Sequence, residues 1–232
     1  MNKKLTFGNQ VLVKLDETND SINLKNGFKL YVDNTYEVEK HTVVTGEIFG
    51  LPIILNYTGQ ANKGMPWDCD MELRMGDKVI CYYLAVINAL KPESQKCYID
   101  GDDKYVLIKY EHIFCKYDIG FVKPINGYVL VEPADNPVVE AEKARMKAIG
   151  MDLVVLKTQS STDVSYGKVK YVGEPNRAYV DGGYTDEGVD IKPGDIVVLK
   201  KINDIPLEYD IHAKVDGGRL WRVQRRNILG KL

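Results

Sequence analysis

Carboxylates, imidazoles, thiols and guanidinium groups are the side chains that could do chemistry in this chain, and their spacing limits what each could do. Asp100, Asp102 and Asp103 fall within DGDDK, a cluster that invites a calcium reading. An EF-hand loop needs about 12 residues and a closing Glu. The Asp cluster is a short turn leading directly into the apolar run YVLIK, so the segment is read as a hairpin turn. His41, His112 and His212 are scattered, without HxxxH or HExxH spacing or an acid partner at useful spacing. No serine stands in GxSxG, and neither GxGxxG nor a phosphate-binding GxxxxGK occurs. Cys69, Cys81, Cys97 and Cys115 all lie in the first half with no CxxC pair, which fits reduced structural thiols rather than a zinc or redox motif. Arg219, Arg222, Arg225 and Arg226 surround Trp221. Such a patch could meet RNA or an acidic partner. Strand alternation offers the simpler reading, charges pointing outward on an edge strand where they discourage aggregation. The expectation is therefore a protein that is not an enzyme, with no catalytic residue, no cofactor and no metal ligand.

Composition narrows the partners further. The 232 residues are 44% hydrophobic and 28% charged, with a formal net charge of -2. That balance supports one large or two small hydrophobic cores. It gives no global field toward nucleic acid or an anionic membrane. No apolar run approaches the ~20 residues that span a bilayer. The opening MNKKLTFGNQVLVKL has basic residues but no long apolar stretch, so no signal peptide and a cytoplasmic location are expected. Abundant Lys, Asn, Asp, Ile and Tyr suggest an AT-rich genome of the bacterial or phage kind.

The elements that would position any site occur twice. LRMGDKVICYY (73–83) and IKPGDIVVLKK (191–201) share a Gly-Asp turn followed by an apolar strand. QVLVKLDE (10–17) pairs with YVLVEPAD (128–135), TGEIFG (45–50) with YGKVKYVG (166–173), and KYVLIKYEHIFC (104–115) with RLWRVQRRNILG (219–230). The matched residues Val11 and Val129 are 118 positions apart, Gly46 and Gly167 are 121, Gly76 and Gly194 are 118, and Ile113 and Ile228 are 115. Four motifs in one order at nearly one offset point to a tandem duplication. The first unit is placed at 1–118 and the second at 119–232, with the joint inside KYDIGFVKP (116–124). Each unit reads as all-β, because its segments are short, rich in β-branched and aromatic residues, and bounded by Gly, Asn or Asp. A small barrel or sandwich is expected. Gly76 and Gly194 suit positive φ, and Asp77 and Asp195 suit bonds to nearby backbone N–H groups. One helix breaks the pattern, near 136–149. Asn136 would cap it, Pro137 would start it, Gly150 would end it, and Val139, Met146 and Ile149 would form a narrow apolar stripe.

This order of motifs resembles the GroES-type co-chaperonins (chaperonin-10 family). In the second unit the matching pieces are YVLVEP, LVVL, GKVKYVG, IKPGDIVVL and WRVQRRNILG. In the first they are QVLVKL, GFKL, TGEIFG, RMGDKVICYY and YVLIKYEHIFC. The resemblance implies two tandem GroES-like small β-barrels and a homo-oligomeric ring that docks on a chaperonin ring. It also implies docking segments at Gly27, Phe28, Lys29 and Leu30 and at Val154, Val155 and Leu156. An extended apolar segment docking in a groove suits that role, and several per ring would add strength through multivalency. The chain departs from the family pattern in three places. Lys29 is charged, the helix near 136–149 stands where the second unit would carry a mobile loop, and the roof segments LPIILNYTGQANKGMPWDCDMEL and EPNRAYVDGGYTDEGVD differ from each other. The helix in place of the loop, the charged Lys29 and the phage-like composition suit an alternative role, a phage virion structural protein of the neck, tail or capsid that reuses the ring-forming unit and is assembled in the host cytoplasm.

Overall fold

Period-two alternation of apolar and polar residues generates most of the elements. The computed structural model describes residues 4–5, 8–16, 21–23, 29–31, 44–56, 70–150, 164–174, 191–200 and 220–232. The chain divides into two compact units, Met1–Gly127 with Gly173–Asp186, and Tyr128–Val172 with Glu187–Leu232.

In the first unit, the strands of the main sheet are β1 (Lys4–Leu5), β2 (Gln10–Leu15), β5 (Thr45–Leu51), β6 (Lys78–Cys81), β7 (Cys97–Asp100), β8 (Asp103–Lys109), β9 (Ile113–Asp118) and β10 (Phe121–Pro124). The pairing order is β10-β9-β6-β5-β2-β8-β7, with β1 parallel to β5. β3 (Ser21–Asn23) and β4 (Lys29–Tyr31) form a separate antiparallel ladder. β2 shows the logic of the core: Val11, Val13 and Leu15 are buried, while Gln10, Leu12 and Lys14 are half-exposed. The buried set joins Ile48, Val79, Val106, Ile108 and Ile113 in one apolar cluster. Each such side chain contributes about 1.5–3 kcal/mol when fully buried.

The second unit holds β11 (Tyr128–Ala134), β12 (Val164–Val172), β13 (Ile196–Lys200), β14 (Trp221–Gln224) and β15 (Ile228–Lys231), ordered β14-β11-β12-β13-β15. Its core is Val129, Val131, Val169, Ile191, Val197, Leu199, Val223 and Ile228.

The five strands of the second unit repeat five of the first in the same spatial order, with β2, β5, β6, β8 and β9 corresponding to β11, β12, β13, β14 and β15. The irregularities recur as well. A register shift lies between Leu12 and Val13 in the first unit and between Leu130 and Val131 in the second. Another lies between Ile80 and Cys81, and again between Val198 and Leu199. Each closing segment, which reads as continuous in sequence, is broken by a 3₁₀ turn, Tyr110–His112 in one unit and Arg225–Asn227 in the other. The protein is thus mostly β, with antiparallel sheets. Among the described residues each pairing path has two free ends and no ladder joins them, so the sheets are described as open paths.

Two helices interrupt the strands. α1 (Tyr83–Leu90) lies in the first unit, where the sequence pattern suggested only strand. Its Tyr, Val and Ile residues favour strands, but Val86 and Ala89, three positions apart, are buried and fix the segment as a helix through packing. Lys91 ends it in an extended conformation ahead of Pro92, and Ser94 Oγ donates to the carbonyl of Ala89 at 2.6 Å. α2 (Pro137–Ala148) lies in the second unit, as the caps suggested. Asn136 Oδ1 accepts from Val138 N–H at 3.0 Å, and Glu140 pairs with Lys143 at 2.6 Å. None of its residues is buried: Val139 and Met146 are half-exposed, and Ile149 beyond its end is 65% exposed. Of the expected stripe, Val139 and Met146 are therefore only half-covered and Ile149 is exposed.

The strand that follows the expected joint at 118/119 is β10, which pairs back on β9 (Phe121 with Asp118) and stays in the first sheet. The chain enters the second unit at Tyr128.

Candidate functional site

The Gly-Asp turn recurs in both units with the same bonds. Gly76 and Gly194 have φ of 86° and 99°, a region costly for residues with a Cβ. Gly76 N–H donates to Ile48 O at 2.9 Å, and Gly194 N–H to Val169 O at 2.8 Å. Asp77 Oδ2 accepts from Arg74 N–H, and Asp195 Oδ2 from Lys192 N–H, each at 2.9 Å. A lysine from the closing strand reaches each carboxylate at 3.5 Å, Lys116 in the first unit and Lys231 in the second. The aspartates therefore pin turns.

The backbone N–H of Lys192, and then Lys231, hold the Asp195 carboxyl below its ordinary value of 3.8. A depressed carboxyl stabilises the fold above the unfolded value, and that contribution is lost as pH falls through the folded value. Asp195→Asn is accordingly expected to lower the thermal midpoint at pH 7, with the gap closing below about pH 3.8. Melting curves at pH 7 and pH 3 check this. A gap that ignores pH contradicts the assignment.

The residues expected to dock a partner are divided by what the structure describes. Lys29 and Leu30 lie in β4, with Lys29 opposite Asn23 and Leu30 opposite Ile22. The segment is thus extended and hairpin-paired at that point. Gly27, Phe28, Val154, Val155 and Leu156 lie outside the described residues, as do His41, His212, Cys69 and Arg219.

Asp100 pairs with Asp103 across the β7–β8 hairpin, and Gly101 in its loop has φ of 62°. Asp103 then pairs with Lys14 at 2.7 Å, beside a charged depression lined also by Asp16, Glu47, Asp102 and Lys104. Among the described residues no group of three or more His, Cys, Asp or Glu is arranged to hold a metal ion. His112 Nε2 lies 3.7 Å from the Glu111 carboxylate, and its ring centroid is 5.7 Å from that of Tyr82. Arg225 is buried and the Arg222 guanidinium lies 5.9 Å from the Tyr128 ring centre, so these two do not form the outward charged row suggested by alternation. Among the described residues no helix is long and apolar enough to cross a membrane.

Cys81 and Cys115 are buried, and burial pushes the Cys115 thiol up to about 12 and that of Cys81 higher still. A thiol reagent at pH 8 is expected to modify Cys97, which is partly exposed, and to reach Cys81 and Cys115 only on unfolding. Mass mapping of the labelled sites checks this; fast native labelling of Cys81 or Cys115 contradicts it.

Sequence reading missed a polar cluster in the first unit. Glu72 Oε2 accepts from Asn126 N–H at 2.6 Å and lies 3.4 Å from the Tyr110 hydroxyl. Tyr110 and Asn126 are fully buried, and Asn126 Nδ2 donates to the Tyr110 carbonyl at 3.0 Å. Asn126 and Gly127 have φ of 62° and 72°. The Asn-Gly dipeptide was the available signal, because that pair favours two successive left-handed residues. Nothing local in the sequence pointed to Glu72, 54 positions away.

No protein-family model matches this chain, and comparison with curated proteins finds no match.

Proposed function

We propose that the protein is a co-chaperonin-like, ring-forming protein that docks on or caps a chaperonin ring and assists protein folding. The observation that carries the reading is the order of motifs shared with GroES-type co-chaperonins, present twice in the chain. Phe28, Lys29 and Leu30 after Gly27, and Val154, Val155 and Leu156, are the docking segments. An extended segment presents alternate side chains to opposite sides, so Phe28 and Leu30 would enter the groove while Lys29 faces away. The extended backbone of β4 is compatible with this. Several docking segments on one ring turn moderate single affinities into strong but reversible capture. Among the described residues the pairing paths end at β7 and β10 in one unit and at β14 and β15 in the other, and such edges would suit head-to-tail pairing that closes a ring.

The test is the refolding yield of a chaperonin-dependent client with a bacterial chaperonin and ATP. Adding the chain is expected to raise the yield; no rise at saturating concentration contradicts the proposal.

One observation favours a second reading. α2 is a capped helix at the place where the family carries a mobile loop. A virion structural protein that reuses a ring-forming β-unit has no need of that loop. On this reading the chain would assemble with other particle proteins and leave the client yield unchanged.

A further inference from the structure

The last residues of the first unit are held more tightly than a connecting turn requires. The chain passes from one unit to the other between Gly127 and Tyr128. Just before that step, Ile125 N–H donates to Phe114 O at 3.0 Å. Asn126 is tied twice, by its backbone N–H to Glu72 Oε2 at 2.6 Å and by its side chain to Tyr110 O at 3.0 Å. Tyr110 in turn braces Glu72. Its hydroxyl accepts from Glu72 N–H at 3.2 Å and lies 3.3 Å from Asp70 O and 3.4 Å from Glu72 Oε2. The other carboxylate oxygen, Glu72 Oε1, is buried and has no hydrogen-bond partner among the described residues. A carboxylate with one oxygen strongly engaged and the other buried without a protein partner among the described residues is poorly suited to remain charged, and well suited to accept a proton on that second oxygen.

We propose that Glu72 is a proton-sensitive latch on the Asn126–Gly127 turn through which the chain leaves the first unit. Ionised, Glu72 holds Asn126 N–H by a short charge-assisted bond. Protonated, it offers a neutral acceptor, and the turn opens more often by releasing the Asn126 N–H while the Glu72 carboxyl stays buried.

The charged and titratable groups around the latch are Tyr110, Lys116, Lys123 and Glu174, among the described residues. Lys116 Nζ donates to the Glu72 backbone carbonyl at 3.0 Å and also lies 3.5 Å from Asp77 Oδ2. Lys123 is paired with Glu174 at 2.9 Å, so its charge is shared. Burial raises the Glu72 pKa above its ordinary value of 4.5, against the opposing pull of Asn126 N–H, Lys123 and Tyr110, and Glu174 adds to the rise.

A raised carboxyl favours the folded state fully below the unfolded value, and this advantage is lost as pH rises through the folded value. Acidification from neutral pH therefore stabilises the whole fold through Glu72 while it loosens the latch. The two readouts move in opposite directions, which a purely structural carboxylate has no reason to do.

The experiment is amide hydrogen exchange at Asn126 by NMR between pH 7 and pH 4.5, corrected for the intrinsic pH dependence of exchange. It is run on the full chain and on Glu72→Gln, together with the carboxyl carbon titration of Glu72 in the unaltered protein. The expected result is a Glu72 titration above 4.5, with Asn126 protection falling about fivefold through it and a flat profile in Glu72→Gln. A Glu72 titration at or below 4.5, or Asn126 protection that does not follow the titration, overturns the proposal. The carboxyl titration and wild-type exchange decide the matter even if Glu72→Gln fails to fold.

Discussion

Gly46→Ala is expected to destabilise the protein by about 3 kcal/mol or more, and Gly167→Ala by about 1–3 kcal/mol, through overpacking. The two glycines occupy equivalent positions in β5 and β12, under Val13 and Val131 of the neighbouring strand. A Cβ on Gly46 would collide with the Lys14 backbone carbonyl and stand 2.7 Å from Val13 Cγ1. A backbone oxygen inside a ladder cannot move without disturbing the β2–β5 register, so little relief is available. A Cβ on Gly167 would stand 2.7 Å from Val131 Cγ2, 3.0 Å from Val131 Cβ and 3.4 Å from Leu199 Cδ1. Those neighbours are side chains, but Val131 and Leu199 are fully buried and Val131 is β-branched, so they yield only partly. Urea unfolding followed by far-UV circular dichroism checks both variants. A Gly46→Ala protein within about 0.5 kcal/mol of the unaltered chain, the range of an ordinary surface change, contradicts the β2–β5 register described above.

The second large effect concerns partner capture. Phe28→Ser combined with Leu30→Ser is expected to weaken chaperonin capture by roughly 100-fold or more, because each loss is multiplied over the segments of a ring. The two changes remove the apolar surface that would enter a groove and leave the backbone and Lys29 in place. The same substitutions at Val154 and Leu156 test whether the second segment contributes. Capture is read by co-elution with a bacterial chaperonin in the presence of ATP, and an unchanged circular dichroism spectrum shows that the fold survives. Capture equal to that of the unaltered chain means that the docking residues have been wrongly assigned.

The parts of the fold legible in sequence were those set by local chemistry. Gly76-Asp77 and Gly194-Asp195 declared their turns because a positive φ and a short carboxylate have few other uses together. Val11, Val13 and Leu15 declared a half-buried strand by alternation. Asn136 and Pro137 declared the start of α2. α1 was not legible, because YYLAVINAL carries strand-forming residues and becomes helical only through the burial of Val86 and Ala89. The 3₁₀ break at Tyr110–His112 was hidden for a similar reason, since Tyr110 turns inward to meet the main chain of Asp70 and Glu72 from far along the sequence. Arg225 looked like an outward charge, yet the same kind of break at Arg225–Asn227 interrupts the alternation and leaves it buried. Of the residues proposed to dock a partner, Lys29 and Leu30 lie on extended backbone, and the others fall outside the described residues.

Co-sedimentation of the purified chain with a bacterial chaperonin, with and without ATP, tests the functional proposal most directly. Capture that depends on nucleotide is expected. Failure to co-sediment in either condition, with the chain forming a stable ring alone or assembling only with other particle proteins, contradicts it in favour of the virion-structural reading.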